Sequence, residues 1–211
     1  LCFRHFKLDS QSAKRLILHA PGVHQGGGLR LLIALLERRE NEFDKIQLDS
    51  RAKPHLALKN PGKVTWIQKS ILARLRAEWL LFRECKPGDT LLCLHSLPPI
   101  FPVNAKVVVF AQNHLLLSRL PIDQYTWTIR ARLHIERIWL TLFSHRTSRF
   151  IVQSPTMANL LRQRLSSSVN VRVSPLFDDL NRLSKTQSNH DRSFDFRSEE
   201  HTSELQSRLH L

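Results

Sequence analysis

Three consecutive glycines, Gly26, Gly27 and Gly28, separate two apolar runs, and their backbone N–H groups could bind a phosphate. The run before them, at 16–18, predicts a buried strand, and the run after them, at 29–39, predicts a helix. Glycine lets the main chain approach a ligand closely and adopt a positive φ. The first N–H groups of a helix have no partner within it. Strand, glycine turn and helix in this order therefore favour an anion site, although a tight connection without a ligand has the same pattern.

Two known glycine motifs match this segment only weakly. The dinucleotide fingerprint needs a third glycine where Leu31 stands, although Asp49 follows the turn at about the twenty-residue interval that the fingerprint requires. A methyl-donor site would usually carry an acidic residue just before the glycines, and His19, Ala20 and Pro21 occupy those positions instead.

Three polar residues directly follow the most strand-like run of the chain, at 107–110. They are Gln112, Asn113 and His114. Ligands bind at the carboxyl ends of strands in open α/β sheets, so these side chains are expected to face a ligand crevice. His114 and Asn113 are the candidate catalytic residues, because a histidine can act as acid or base near neutral pH. Gln112 is a candidate for substrate binding. The alternative is that Gln112 and Asn113 only cap the next turn.

His95 follows the preceding strand-like run, at 90–94, and is a further candidate for substrate binding. The alternative is a purely structural histidine. The eleven histidines include no H-x-x-x-H or H-E-x-x-H spacing, and no C-x-x-C pair occurs, so the sequence predicts no metal site. It also has no G-x-S-x-G elbow, no P-loop and no evident pair of catalytic carboxylates.

The elements that must position these residues alternate along the chain. Apolar, strand-like runs separated by helical patterns are typical of a parallel sheet covered on both faces. We therefore predict an α/β fold: a Rossmann-like parallel sheet with helices on both faces. Strands are predicted at 16–18, 45–49, 64–67, 90–94, 107–110, 150–152 and 169–173, and helices at 29–39, 71–83, 125–143 and 157–165.

Composition fits one globular domain with free thiols. The chain has 211 residues, of which 42% are hydrophobic, and no apolar run approaches the roughly 18 residues that a membrane span needs. Three cysteines, Cys2, Cys85 and Cys93, are an odd number. Together with the lack of a visible signal peptide, they indicate a reducing, cytoplasmic location.

The formal net charge of +14 favours an anionic partner. The helix predicted from residue 125 combines arginines with Trp127, Trp139 and Phe143, which suits docking on an anionic membrane surface. The alternative is a solvated charged face with the tryptophans in the core. Nucleic acid is a less favoured partner, because no recognised nucleic-acid module is present.

Four segments are expected along the chain. Residues 1–14 form a leader, 15–183 the Rossmann-like domain, and 184–196 a polar linker or interrupted loop. Residues 197–211 are expected to be a non-native tail, because 197–207 resemble a translated sequencing adapter.

The order of the motifs resembles that of the N-terminal domain of family 4 glycosyltransferases, which have the GT-B fold. The resemblance covers about residues 15–180. The segments that carry it are HAPGVHQGGGLRLL at 19–32, LDSR at 48–51, LHSLPPIF at 94–101, VVVFAQNHLLL at 107–117 and FIVQSPTM at 150–157.

The resemblance implies an enzyme that transfers a sugar, with retention at the anomeric carbon, from a nucleotide sugar to a glycan or lipid-linked acceptor. Gly26, Gly27 and Gly28 would bind the leaving diphosphate. Gln112, Asn113 and His114 would lie near the transferred sugar or the acceptor. The nucleotide sugar is the donor substrate, and no separate cofactor is implied.

The resemblance also implies a role in envelope or extracellular polysaccharide synthesis, peripheral on the inner face of the cell membrane. The family's second domain, which carries a paired-glutamate donor motif, is not in this sequence, so the chain by itself is expected to be inactive. The alternative function is a non-catalytic Rossmann-like module that docks on nucleic acid or an anionic membrane.

Overall fold

Seven parallel strands form one sheet in the computed structural model, which describes residues 15–118 and 124–174. Helices cover both faces, so the predicted Rossmann-like α/β fold is confirmed. The strands are β1 Leu16–Ala20, β2 Lys45–Asp49, β3 Val64–Ile67, β4 Thr90–Cys93, β5 Lys106–Phe110, β6 Arg149–Val152 and β7 Val171–Val173. The helices are α1 Gly26–Arg39, α2 Ile71–Glu84, α3 His114–Leu117, α4 Trp127–Phe143 and α5 Pro155–Arg164.

Two helices begin earlier than their apolar patterns predict, and one was not predicted at all. Helix α1 includes the three glycines as its first turn. Helix α5 begins at Pro155 because the Ser154 side chain caps it by accepting the Met157 N–H at 3.2 Å, and proline is well suited to a first helical position. The four-residue α3 is too short to produce a helical period in the sequence.

The strand order is β3-β2-β1-β4-β5-β6-β7, so the winding direction reverses between β1 and β4. In sheets of this kind, the crevice outside the carboxyl ends at that reversal is where ligands bind. His19 on β1 lies in register with Gln47 on β2 and with Cys93 on β4. Residues in register share a face of the sheet, so these three form a buried row on one side.

The two faces of the sheet bury alternate residues of each strand. Ile17, Leu91 and Val107 belong to one apolar cluster with residues of α2, α3, α4 and α5. The alternating residues, such as Leu18 and Leu92, are equally buried on the other face, which α1 covers. Helix α1 contributes the buried residues Leu31, Leu32, Leu35 and Leu36.

A charged pair joins the start of β1 to the turn before β4. The Arg15 guanidinium donates to the Asp89 carboxylate, with Nη2 at 2.5 Å from Oδ2, and also to the Glu84 carbonyl at 2.6 Å. The Lys86 backbone N–H donates to the same carboxylate at 2.8 Å. Asp89 is fully buried, so these donors replace the water that it loses on folding.

Several expectations fall outside the described residues. These are the leader at 1–14, the end of the domain at 175–183, the linker at 184–196, the tail at 197–211 and the thiol of Cys2. Within the described ranges, Cys85 and Cys93 are free thiols, as predicted, and the structure shows that both are buried. No helix in those ranges combines the length and the hydropathy needed to cross a bilayer.

Candidate functional site

The glycine-rich segment lies between β1 and α1, at the carboxyl edge of the sheet beside the reversal. Gly26 has φ +62°, a left-handed conformation that favours glycine. Gln25 stands at the N-cap in extended backbone without a side-chain capping bond, and the first turn of α1 contains no acidic residue. In this part of the described chain, the first N–H groups of α1 are therefore uncapped, and the positive end of the helix dipole is not neutralised.

Asp49 fixes this segment from the neighbouring strand. Its Oδ2 accepts the Gly22 N–H at 3.0 Å, and the Arg51 guanidinium donates to both carboxylate oxygens, at 2.9 and 2.7 Å. Burial by itself raises the pKa of Asp49, but the hydrogen bonds and charge of Arg51 outweigh it and hold the pKa below its usual value. Asp49 thus positions the turn, and its oxygens are already paired.

Two of the predicted binding residues meet at this edge. A Cβ atom built on Gly28 would lie 3.0 Å from Gln112 Nε2, so the first turn of α1 packs directly on the loop after β5. The same Nε2 donates to the Leu94 carbonyl at 3.0 Å, which holds the amide in place. Gly27 differs, because a Cβ there would meet no atom within 4 Å. The Gln112 side chain therefore blocks the space beside Gly28, whereas the space around Gly27 is free for a ligand.

Ser96 joins two of the loops, and the sequence analysis did not single it out. Its φ is +67°, which is uncommon for a residue with a Cβ. Its Oγ accepts the backbone N–H groups of Gln112 at 3.0 Å and Asn113 at 3.3 Å. Backbone strain of this kind concentrates at functional sites. The only available signal was its position in the short segment between a buried strand and the prolines Pro98 and Pro99.

Asn113 and His114 begin helix α3. Asn113 Oδ1 accepts the Leu115 N–H at 3.0 Å, which is the capping role considered as the alternative for this residue. His114 is the first residue of the helix and is exposed to solvent. His114 therefore lies exposed at the carboxyl edge of the sheet, and the side-chain oxygen of Asn113 is used by the helix cap.

The His95 side chain is directed inward, toward His19. Both of its ring nitrogens are shielded from solvent, and its ring meets that of His19 edge-on with 5.1 Å between centroids. Burial, together with the positive charge of Arg74 and the adjacent His19, holds the pKa of His95 well below its usual value. The ring is therefore neutral at physiological pH and is directed into the protein interior.

His95 belongs to a buried polar cluster between the sheet and α2. His19 Nδ1 pairs with Gln47 Oε1 at 2.7 Å, and His19 Nε2 lies 4.0 Å from Glu78 Oε1. Arg74 Nε is also 4.0 Å from that oxygen. His19 and Glu78 are both fully buried. No local pattern in the sequence predicts this cluster, because its members come from separate elements with no motif spacing between them.

Helix α4 exposes an apolar stripe opposite its buried side. Ile135, Ile138 and Leu142 are 63%, 58% and 59% exposed, and Trp127 also faces solvent. The spacing of these residues places them on one helix face. Trp139, by contrast, faces inward, where its Nε1 donates to the Pro98 carbonyl at 2.8 Å.

Part of the positive charge of this region stabilises the fold. The Arg137 guanidinium donates to the Leu115 and Ser118 carbonyls at 2.8 and 2.9 Å. Arg146 donates to the Ile100 carbonyl and stacks on the Phe143 ring. Arg132 is exposed and pairs with Glu136 on the same helix. Arg137 and Arg146 therefore stabilise the fold, whereas Arg132 lies exposed on α4.

Comparison with protein-family models finds no match to this chain, and neither the curated proteins nor the solved structures provide one. The family resemblance therefore remains a prediction that depends on the motifs.

Proposed function

We propose that this chain is the acceptor-side half of a retaining glycosyltransferase that resembles family 4, and that its glycine turn binds the leaving diphosphate of a nucleotide sugar. The observation that carries the proposal is the uncapped first turn of α1, open above Gly27 and closed by Gln112 on its other side. It lies at the reversal of the sheet, where ligands of open α/β folds bind.

The proposed role of the turn is electrostatic. Negative charge grows on the diphosphate as the bond to the sugar breaks, and backbone N–H groups already pointing at that position stabilise it without reorganisation. The dipole of α1 adds to this effect, since no carboxylate of its first turn opposes it. Asp49 stabilises the same backbone geometry by accepting a hydrogen bond from the Gly22 N–H.

The acceptor and the transferred sugar would lie toward the start of α3. His114 is exposed there and could exchange a proton with the acceptor hydroxyl. Ser96 fixes the Gln112 and Asn113 backbone through two hydrogen bonds. In this proposal, Ser96 is a positioning residue, and the cytoplasmic membrane face is the site of the reaction.

Reading the source gene past the codon for Phe196 tests the proposed reaction. The proposal expects the frame to continue into a second α/β domain with a paired-glutamate motif. A stop codon directly after that position would overturn sugar transfer, and the non-catalytic docking module would replace it.

Pyrophosphate tests the turn itself, without any need for activity. We expect pyrophosphate to shift the amide resonances of Gly26, Gly27 and Gly28, and Gly27→Asp to abolish the shifts by placing a negative charge in the anion site. Gly62→Asp is the matched control, since Gly62 also has open space around a Cβ but lies in a different loop. Equal binding by both variants would exclude the turn as the anion site.

A second function, docking on an anionic membrane, is favoured by the stripe on α4. Apolar side chains at 135, 138 and 142 stand clear of the protein, although most side chains of this size are buried. Helix α2 lies beside α4, as the Arg74 guanidinium on the Trp139 ring shows, and exposes Trp79 and Phe82. Exposed arginines lie on the same helices: Arg83 stacks on Trp79 of α2, and Arg132 is on α4. On a chain of net charge +14, this combination complements an anionic interface.

Sedimentation with vesicles tests this docking. We expect binding to vesicles that contain phosphatidylglycerol, much weaker binding to neutral phosphatidylcholine vesicles, and release at high salt. Ile138→Asp should weaken binding about tenfold or more, because it removes apolar area that the membrane would bury and adds a negative charge at the membrane interface. Ala57→Asp, a change of the same charge at an exposed loop residue away from α4, is the control. Unchanged binding by Ile138→Asp would exclude the stripe, and binding to duplex DNA alone would favour the nucleic-acid alternative.

A further inference from the structure

We propose that His19, Glu78 and His95 form a binding site for a divalent metal ion, with zinc as the best match, in the interior between the sheet and α2. Their ligand atoms all lie within 4.8 Å of one another. Two imidazoles and one carboxylate are a donor set that zinc uses in proteins. The proposal does not depend on sugar transfer and contrasts with the absence of a metal motif in the sequence.

Hydrogen bonds fix which nitrogen of His19 faces the cluster. Gln47 Nε2 donates to the Ala77 carbonyl at 3.4 Å, so Gln47 Oε1 is the atom that lies 2.7 Å from His19 Nδ1. An oxygen can only accept here, and Nδ1 must therefore carry the proton. His19 Nε2, which lies 4.0 Å from Glu78 Oε1, is then the nitrogen that would bind a metal. A histidine whose second nitrogen donates to a neighbouring oxygen is the arrangement that orients metal ligands.

Several buried polar atoms of the cluster have no hydrogen-bond partner within the described residues. His19 Nε2 and Glu78 Oε1 are 4.0 Å apart, and neither has a hydrogen-bond partner within the described residues. The other Glu78 oxygen is already held by the Ile100 N–H at 2.6 Å. Both His95 nitrogens also lack a partner within the described residues. Buried polar atoms without partners are unfavourable, and a metal ion would pair His19 Nε2, Glu78 Oε1 and one nitrogen of His95.

The spacing is slightly wider than that of an occupied zinc site. Zinc bonds of about 2.0–2.1 Å hold tetrahedral ligands about 3.3 Å apart. The 4.0 Å separation of His19 and Glu78 would need to close by about 0.7 Å on binding, and a separation near 4.8 Å by about 1.5 Å. Binding would therefore require small shifts of the Glu78 and His95 side chains, while the Gln47 bond holds His19.

Arg74 determines what the fourth ligand must be. Its Nε lies 4.0 Å from Glu78 Oε1, and both Nε and Nη2 lack a hydrogen-bond acceptor in the described part of the chain. A guanidinium beside a metal ion is unfavourable unless an anion or water-derived ligand lies between them. We therefore infer a fourth ligand of that kind, which would accept the free Arg74 N–H groups and complete a four-coordinate site.

The ion would have a structural role. Its three protein ligands come from β1, α2 and the segment after β4, so binding would tie α2 to the two strands that flank the reversal of the sheet. The site is enclosed, because His19 and Glu78 are fully buried. Binding should therefore stabilise the native state by an amount that rises with the logarithm of the free metal concentration above the Kd.

Titration of the metal-free full chain, carried on an affinity tag without histidine, tests the proposal with Zn²⁺ alone. We expect one zinc ion per chain by mass spectrometry of the dialysed protein, and a melting temperature that rises with Zn²⁺ and not with Mg²⁺. Co²⁺ should give the visible absorption of a four-coordinate site. Absence of bound metal together with an unchanged melting temperature would overturn the proposal.

Two variants distinguish this site from adventitious binding by other histidines. Glu78→Gln keeps an acceptor for the Ile100 N–H, removes the charged ligand and should weaken zinc binding about 100-fold. His95→Asn should do the same, and it decides the question if Glu78→Gln does not fold. His55→Ala, at an exposed histidine outside the cluster, should bind zinc as the unmodified chain does. Unchanged affinity in the folded ligand variants would assign the zinc to another place.

Discussion

Gly28 and Gln112 approach so closely that a Cβ atom on Gly28 would lie 3.0 Å from the Gln112 side-chain nitrogen. This contact joins the first turn of α1 to the loop after β5 and brings together two segments that are far apart in sequence. Gln112 cannot move away freely, since the same nitrogen donates to the Leu94 carbonyl. The close approach explains why glycine occupies position 28.

Alanine at the two neighbouring glycines should have different effects on stability. Gly28→Ala displaces the Gln112 amide and weakens its hydrogen bond, whereas Gly27→Ala meets no atom within 4 Å. Both changes gain the same helix propensity. We expect Gly28→Ala to be less stable than Gly27→Ala by about 1 kcal/mol, the worth of one hydrogen bond. Urea unfolding of the two variants measures the difference, and equal midpoints would show that Gln112 does not constrain this position.

The hydrogen bonds and the backbone strain of Ser96 can be separated by two substitutions. Ser96→Ala loses the acceptor for two N–H groups and keeps the left-handed backbone, whereas Ser96→Gly loses the acceptor but relieves the strain. We expect both variants to be destabilised, and Ser96→Ala to be the less stable of the two by about 1 kcal/mol. Thermal unfolding tests the order. A Ser96→Ala variant as stable as the unmodified chain would contradict the assigned contacts.

Acid should weaken the pair between Arg15 and Asp89. Burial alone raises the pKa of Asp89, but the hydrogen bonds from Arg15 and Lys86 outweigh it and lower the pKa. The native state then binds fewer protons than the unfolded chain. The resulting stability is complete above the unfolded pKa of about 3.9 and is lost as the pH falls through the lower native value.

Asp89→Asn tests this dependence. At pH 7 the variant should be about 1 kcal/mol less stable, a modest loss because Arg15 is partly exposed and salt screens the pair. The difference should shrink as the pH falls below 4. Glu37→Gln, at an exposed glutamate of α1, is the control and should change little. Urea unfolding at each pH is the measurement, and a difference that persists undiminished at pH 3 would refute the charged interaction.

The two described cysteines should resist thiol reagents until the chain unfolds. Burial, aided by the negative Asp89, raises the pKa of the Cys85 thiol to about 11, and burial also raises the pKa of Cys93 well above its usual value. Neither forms an appreciable thiolate near neutral pH. With Cys2→Ser, a disulfide reagent at pH 8 should detect almost no thiol in the folded chain and two in denaturant. Rapid reaction of the folded variant would mean that one thiol is accessible.

Local sequence determined the strands and most of the helices. The apolar run at 107–110 predicted β5 to within one residue, because a strand buried on both faces requires continuous apolar side chains. The beginning of α1 could not be read in this way, since an apolar period begins only after the three glycines. Helix α3 is a single capped turn, so it depends on the Asn113 hydrogen bond and not on a helical period.

For the candidate site, too, the sequence determines some features and the tertiary structure determines others. By itself, the sequence determined that glycines and polar residues stand at the carboxyl ends of predicted parallel strands, since alternation of strands and helices places those ends at one edge. Only the tertiary structure decided that Gly28 packs on Gln112 and that Ser96 bridges two loops. It alone also placed His19, Glu78 and His95 together. Such contacts depend on strand order and on which residues share a face, and no local pattern encodes the packing of elements that are distant along the chain.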